Sequence, residues 1–256
     1  LVVIDDGDYQ DAIDLASLVS KMPPFQAEGG VKNVARRDGL GTVLLTAFEE
    51  MQCFPSHYFQ AVGSGTGAIA VLEAARRLRE AVGGGTLPRL MLCQNFPFTP
   101  IYDAWRGSLR TLPGGEAGHL RDAVRQVYAD ELTNWTPPYG IRGGVYDSLM
   151  ESRGDVLLAD NSSVQAAISM FLELEGIDIE PAAGVALACL RDAVVQGKVS
   201  KESIVLLNVT GGGRLRLGKD HALVSAQPRL RLSVNSLGGP DAAQRVAALH
   251  ASASMP

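Results

Sequence analysis

The sequence predicts an α/β protein with a mostly parallel sheet flanked by helices. Strand-like and helix-like patterns alternate along the chain, as they do when helices cover a parallel sheet. The strand-like runs, such as Arg89–Cys93 and Ser203–Val209, are too apolar to face water on either side. Two of the strand-like runs end in glycine-rich turns, at Gly63–Gly67 and Gly211–Gly213. Open α/β sheets bind ligands beyond the carboxyl ends of their strands, where both turns fall.

Taken in order, Leu1–Ile4 reads as a strand and Asp11–Lys21 as the helix after it. Met22–Gly30 carries Pro23, Pro24, Gly29 and Gly30 and reads as a loop at a domain junction. Thr42–Met51 is an amphipathic helix, Tyr58–Val62 a short strand, and Ala68–Val82 the helix beyond the first glycine turn. Arg89–Cys93 is the next strand, followed by helices at Thr99–Trp105 and Ala117–Glu131. Val145–Ser152 is a short helix, Val156–Ala159 a strand, and Ser162–Glu175 a helix. Glu180-Pro181 opens helix Ala182–Gln196, with proline where its missing N–H costs least. Ser203–Val209 reads as the most buried strand. After Leu217 the pattern fades, and Gly238–Pro256 reads as a weakly ordered tail. The organisation expected is residues 1–25 as a remnant of a small N-terminal domain, 26–220 as the large domain, and 221–256 as a partly irregular extension.

Composition narrows the function. The formal charge of −5 argues against nucleic-acid binding, which needs a basic face. No apolar stretch approaches the roughly 18 residues that span a bilayer, so no membrane partner is expected. Cys53, Cys93 and Cys189 are scattered, a set that fits a reducing cytoplasm better than a disulfide framework. His57, His119, His221 and His250 form no ligand spacing, and no metal site is expected. The chain opens with Leu1 inside a strand-like run, which points to a missing N-terminal portion.

Gly63-Ser64-Gly65-Thr66-Gly67 joins a strand to a helix. Glycines let backbone N–H groups approach an anion, the helix dipole favours it, and Ser64 and Thr66 add hydroxyls. The turn makes a good phosphate cup. It is not a P-loop, since no Gly-Lys-Ser/Thr follows, and the next strand ends in no ribose-binding acid. The other reading is a tight turn with no ligand. Thr210 precedes the second glycine run, so its hydroxyl points into the same cleft or merely caps the strand.

Together these loops resemble the tryptophan-synthase-β superfamily of fold-type-II pyridoxal-phosphate enzymes. The Glu180-Pro181 helix start, before the second loop, matches the same family. Longer stretches, Glu28–Gly39, His57–Gly67, Gln94–Phe98 and Thr136–Gly140, are similar to the cysteate synthases, and the likeness runs from about Leu1 to about Gly213. The resemblance implies pyridoxal 5′-phosphate as cofactor, held by Gly63, Ser64, Gly65, Thr66 and Gly67 at its phosphate and by Thr210 at its ring nitrogen. It implies O-phosphoserine and sulfite as substrates: the α-proton and then phosphate leave, and sulfite adds at the β-carbon. A neutral hydroxyl at the ring nitrogen favours β-elimination and replacement over transamination. These anionic substrates need cations, and Lys32, Arg36 and Arg37 are the candidates, with Lys32 and Arg36 on one face if the segment is helical. The other reading of those three is a solvated basic patch. A homodimer is expected by family likeness alone.

The family's Schiff-base lysine and the asparagine at the cofactor's 3-hydroxyl belong to a part of the pattern that this sequence does not match. Lys21, Lys32, Lys198, Lys201 and Lys219 all lie outside that motif. The N-terminal portion is therefore expected to be missing. The alternatives left open are a threonine-synthase-like enzyme that adds water, and a non-catalytic module that binds phosphate ligands.

Overall fold

In the computed structural model, which describes residues 1–253, the chain divides into two units. One takes Gly30–Asp220; the other takes Leu1–Gly29 with the stretch that begins at His221. In chain order, β1 (Val2–Asp5) leads to α1 (Tyr9–Val19). There follow α2 (Val34–Met51), β2 (His57–Ala61), α3 (Thr66–Ala81), β3 (Arg89–Asn95), α4 (Pro100–Arg106) and α5 (Ala117–Val124). Then come α6 (Val145–Ser152), β4 (Asp155–Ala159), α7 (Asn161–Glu175), α8 (Pro181–Val195) and β5 (Val205–Leu207). The last elements are α9 (Arg214–Asp220), β6 (Leu230–Ser233) and α10 (Pro240–Ala253).

In the larger unit, four strands stand in the order β4-β3-β2-β5, all parallel. The pleat sends alternate residues to opposite faces, and both faces are apolar. Tyr58, Leu90 and Leu92 pack with Leu44, Ile69, Leu72, Ile101 and Leu149 on one side. Phe59, Met91 and Cys93 pack with Val164, Val185 and Cys189 on the other. Helices α2, α3 and α6 thus cover one face, and α7 and α8 cover the other. The small residues of α8 allow close approach: a Cβ on Gly184 would lie 2.6 Å from Ile168 Cγ1.

Several boundaries depart from the sequence reading. Helix α2 starts at Val34 rather than Thr42, where Asn33 Oδ1 caps it by accepting from Arg36 N at 3.1 Å. Glycine in its first turns masks the helical pattern, yet Gly41 is what lets α2 meet α3, since a Cβ there would lie 3.0 Å from Ala74 Cβ. Helix α5 ends at Val124 rather than Glu131. Beyond it, the buried Asn95 Oδ1 accepts from the amides of Tyr128 (3.1 Å) and Ala129 (3.0 Å), bonds that hold this backbone in a non-helical course. Strand β5 has three residues, all half-buried, rather than being the most buried strand. It has one neighbour, β2, and so sits at the sheet edge.

The smaller unit corrects the expectation of a fading pattern after Leu217. Strand β6 pairs in parallel with β1, Val2 opposite Leu230 and Ile4 opposite Leu232. Helices α1 and α10 supply Leu15, Val19, Ala242 and Ala243 to a core around Leu232. The pairing joins opposite ends of the sequence, so no local pattern announces it. Residues 254–256 of the expected tail lie outside the described residues.

One buried polar group gives the larger unit a pH response. Ser56 Oγ donates to Ile204 O at 2.9 Å, so its bond to His57 Nδ1 at 2.9 Å must take the ring's proton. The bare Nε2 is then buried with no partner among the described residues. Burial, aided by the Arg89 charge, holds His57 below the ordinary histidine value of 6.5. The unfolded chain therefore binds the extra proton first, and native stability is lost as pH falls below about 6.5. Urea melts at pH 7.5 and 5.5 are expected to show this loss, and His57→Gln is expected to reduce it.

Candidate functional site

Both glycine turns leave neighbouring strands at the same edge of the sheet. Strands β2 and β5 run parallel in register, with His57 opposite Val205 and Phe59 opposite Leu207. Asn208 N extends the pairing by donating to Phe59 O at 2.9 Å. The chain then turns into Gly63–Gly67 from β2 and into Thr210–Gly213 from β5. The two loops therefore emerge side by side.

The first loop is shaped by what packs on it. Gly65 has φ +76°, and a Cβ there would lie 2.5 Å from Val145 Cγ2 at the start of α6. Both facts require glycine. Gly67 is approached from below: its Cβ would lie 2.5 Å from Gln60 Nε2. Gly63 lies against the Leu132 carbonyl. Helix α3 begins with Gly65 as a cap that offers no side chain. Ser64 Oγ and Thr66 Oγ1 share a hydrogen bond at 3.0 Å, and Ser64 Oγ lies 3.3 Å from Thr66 N. Two hydroxyls and the first-turn amides of a helix more than three turns long thus stand together, a donor set that fits a phosphate group. Gly63, Ser64 and Gly65 form the turn after β2, while Thr66 and Gly67 are the first residues of α3, which starts two residues before the expected Ala68.

The second loop is tied to the entrance of α8. Glu180 N donates to Gly211 O at 2.9 Å, and Gly213 N donates to Asp178 O at 2.8 Å. Arg214 Nε reaches Glu180 Oε1 at 2.6 Å, and Asp178 accepts from the amides of Arg214 and Leu215 to cap α9. These bonds explain why a Glu-Pro helix start accompanies a distant glycine run. Thr210 is exposed, at the outer end of the short edge strand. The sequence reading set it directly after the strand because it judged Ser203–Val209 one long strand.

Helices α2 and α3 run parallel. Gly41 meets Ala70 and Ala74, while Phe48 and Gln52 line one pocket with Val82 and Gly84 at the other end. This course puts Lys32 and Arg36 at the end of the layer where α3 begins. They do not share a helical face, because Lys32 closes a separate 3-10 turn, Gly30–Lys32, before the Asn33 cap. Lys32 is exposed and makes no ion pair among the described residues. Arg37 is engaged: its Nε donates to Glu73 Oε2 at 2.8 Å and its Nη1 to Val31 O.

Sequence reasoning missed the polar side chains that tie this edge together. Gln94 Oε1 accepts from Tyr102 N at 2.9 Å, fixing α4. Glu131 Oε1 accepts from Ala182 N at 2.9 Å, fixing α8, and burial lifts its carboxyl above the ordinary value. Asn208 Nδ2 donates to Tyr58 Oη at 2.8 Å, and Tyr58 Oη donates to Gln60 Oε1 at 3.0 Å. Burial pushes the Tyr58 phenol well above its usual value, so it remains an O–H donor. Glu131 and Asn208 are 51 and 150 positions from what they hold, and no local signal marks those ties. All five lysines, Lys21, Lys32, Lys198, Lys201 and Lys219, are exposed. No group of three or more His, Cys, Asp or Glu among the described residues can hold a metal ion. No described helix is long and apolar enough to cross a membrane.

Gly65→Ala should abolish phosphate binding and lower stability by more than the roughly 1–2 kcal/mol of the left-handed backbone alone. Gly83→Ala is the control, with φ +74° but nothing within 4 Å of its Cβ. Phosphate titration and urea melts of the two variants make the check.

Comparison with known proteins follows the same lines. Residues 1–211 match the family described as "Pyridoxal-phosphate dependent enzyme". A cysteate synthase of Methanosarcina barkeri is 47% identical over 224 residues, covering 87% of this chain and 54% of that protein. A cysteate synthase of Methanosphaerula palustris is 45% identical over 244 residues, covering 94% and 57%. This chain thus spans a little over half the length of these relatives. The structure of maize serine racemase superposes with a TM-score of 0.50 at 17% identity, over 71% of this chain and 49% of that one, a likeness of fold. The match across more than four-fifths of the sequence, together with the fold built around its two glycine loops, places this chain in the family of pyridoxal-phosphate dependent enzymes.

Proposed function

We propose that this chain carries the cofactor-holding part of an enzyme that converts O-phosphoserine and sulfite to cysteate and phosphate. The observation that carries the reading is the pairing of β2 with β5, which sets the phosphate cup beside the Thr210 loop. The amides of Gly65, Thr66 and Gly67 and the hydroxyls of Ser64 and Thr66 would take the cofactor phosphate. The Thr210 hydroxyl, at the head of the neighbouring loop, would meet the ring nitrogen. When bound, pyridoxal phosphate supplies the electron withdrawal that acidifies the substrate Cα–H and lets a β-substituent leave. The protein's task is to hold the ring, orient the substrate and place its anions. In the overall exchange the Cβ–O bond to phosphate breaks and a Cβ–S bond to sulfite forms. The relatives named cysteate synthase support this choice of substrates.

Lys32 and Arg36 are the cations assigned to the anionic substrates, since both lie at the end of α2 beside the start of α3. Arg37 keeps that end in place through Glu73. The exposure of all five lysines supports a Schiff-base lysine outside this chain. The free cysteines support a cytoplasmic setting, the partners are small molecules, and a homodimer rests on family likeness.

The test uses the chain and a version extended to the relatives' length. Borohydride reduction with pyridoxal phosphate should modify one lysine in the extended version, outside these 256 residues, and none specifically here. The extended version should release phosphate from O-phosphoserine with consumption of sulfite. Phosphate release from O-phosphohomoserine without sulfite would point instead to a threonine-synthase-like reaction, and cofactor binding without turnover to a non-catalytic module. A single stoichiometric adduct on Lys32 would overturn the lysine assignment.

In the extended enzyme, Lys32→Ala and Arg36→Ala should each raise KM about tenfold, the scale of one charge-assisted contact. Arg37→Ala should leave KM nearly unchanged and lower stability by up to about 1 kcal/mol. Steady-state kinetics and urea melts separate the two outcomes.

A further inference from the structure

We infer that Tyr58, Gln60 and Asn208 form a positioning relay that fixes the ring-side loop against the phosphate-side loop; this rests on the cofactor reading above. The three residues lie behind the site. Tyr58 and Gln60 are two apart on β2 and so share the face turned toward α3. Asn208 follows β5, two residues before Thr210. Its Nδ2 donates to Tyr58 Oη at 2.8 Å, and Tyr58 Oη donates to Gln60 Oε1 at 3.0 Å. The Gln60 amide in turn lies under the phosphate cup, where a Cβ on Gly67 would come within 2.5 Å of Nε2 and 2.9 Å of Oε1. A continuous path of contact therefore runs from the Thr210 loop, through a phenol, to the first turn of α3.

The donors and acceptors give this path one sense. A phenol has a single proton, so a Tyr58 that donates to Gln60 must accept from Asn208. That turns the Asn208 carboxamide nitrogen toward the tyrosine and the Gln60 nitrogen toward the cup. Tyr58 is fully buried among Ile69, Leu72 and Leu90, where phenylalanine would fill the same space without a hydroxyl to satisfy. A hydroxyl in such a place is costly unless both its bonds are made. Both are made, and both lead to a cofactor loop. Main-chain pairing sets β2 beside β5 as far as Phe59 and Asn208. At that point the relay adds a side-chain tie between the two strands as they enter their loops.

The test compares two probes on this chain. Inorganic phosphate touches only the cup, whereas pyridoxine 5′-phosphate, which forms no Schiff base, needs cup and ring contact in register. In Tyr58→Phe the dissociation constant for pyridoxine 5′-phosphate should rise about five- to tenfold, the scale of one lost hydrogen bond. That for inorganic phosphate should stay within about twofold. Asn208→Ala should repeat the pattern from the other end, and it decides the matter if Tyr58→Phe does not fold. A loss shared equally by both probes, or by neither, would overturn the relay while leaving the cofactor reading intact. Failure of the unaltered chain to bind pyridoxine 5′-phosphate at all would overturn that reading and the relay with it.

Discussion

Parallel pairing of β2 with its two neighbours is the constraint on which the rest of the larger unit depends. A strand bonded on both sides has no freedom to slide or tilt, so its carboxyl end is delivered to a fixed point. At that point the chain must reverse into α3, and the left-handed Gly65 makes the reversal while Val145 closes over it. Everything proposed for the cofactor phosphate follows from that fixed turn. The Thr210 loop inherits its place from the same strand, since β5 has no other strand partner among the described residues.

A second principle governs the edge where the loops emerge. Loops near a ligand site carry backbone groups that no sheet or helix satisfies. Here side chains take those bonds. Asn95 serves the amides at 128 and 129, Gln94 the start of α4, Glu131 the start of α8, and Asp178 the start of α9. Asn95, Glu131 and Asp178 join segments 33 to 51 positions apart, so the loops are held by one another rather than by their own turns. The edge is therefore stiff although little of it is regular structure, which is the condition a cofactor site requires.

How much of this was legible in the sequence follows from how local each signal is. The alternation of strands and helices, the glycine turn after β2 and the proline-led α8 are written in neighbouring residues, and the sequence reading found them. The family likeness rested on longer strings such as His57–Gly67 and was equally plain. Partners remote in sequence were not readable. The Leu230 strand looks like loop until β1 is set beside it. Asn208 looks like a strand end until Tyr58 is beneath it. Arg37 looks like a substrate cation until Glu73 claims it. The three-residue length of β5 hides in a longer apolar run, because hydrophobicity marks what can be buried and not where pairing stops.

The β2–β5 pairing also has a meaning in time. Ser56 and Ile204, which bond at the foot of the two strands, are separated by 148 positions. During synthesis β2 emerges before its neighbours and can recruit β3, to which β4 then adds. Its other edge stays open until the 148 positions that separate Ser56 from Ile204 have followed it. An open apolar edge is what foreign strands and neighbouring nascent chains attach to. Non-local, parallel closure of this kind is slow as well as late. The strand that leads into the glycine turn is thus also the one whose pairing is completed late on the way to the fold.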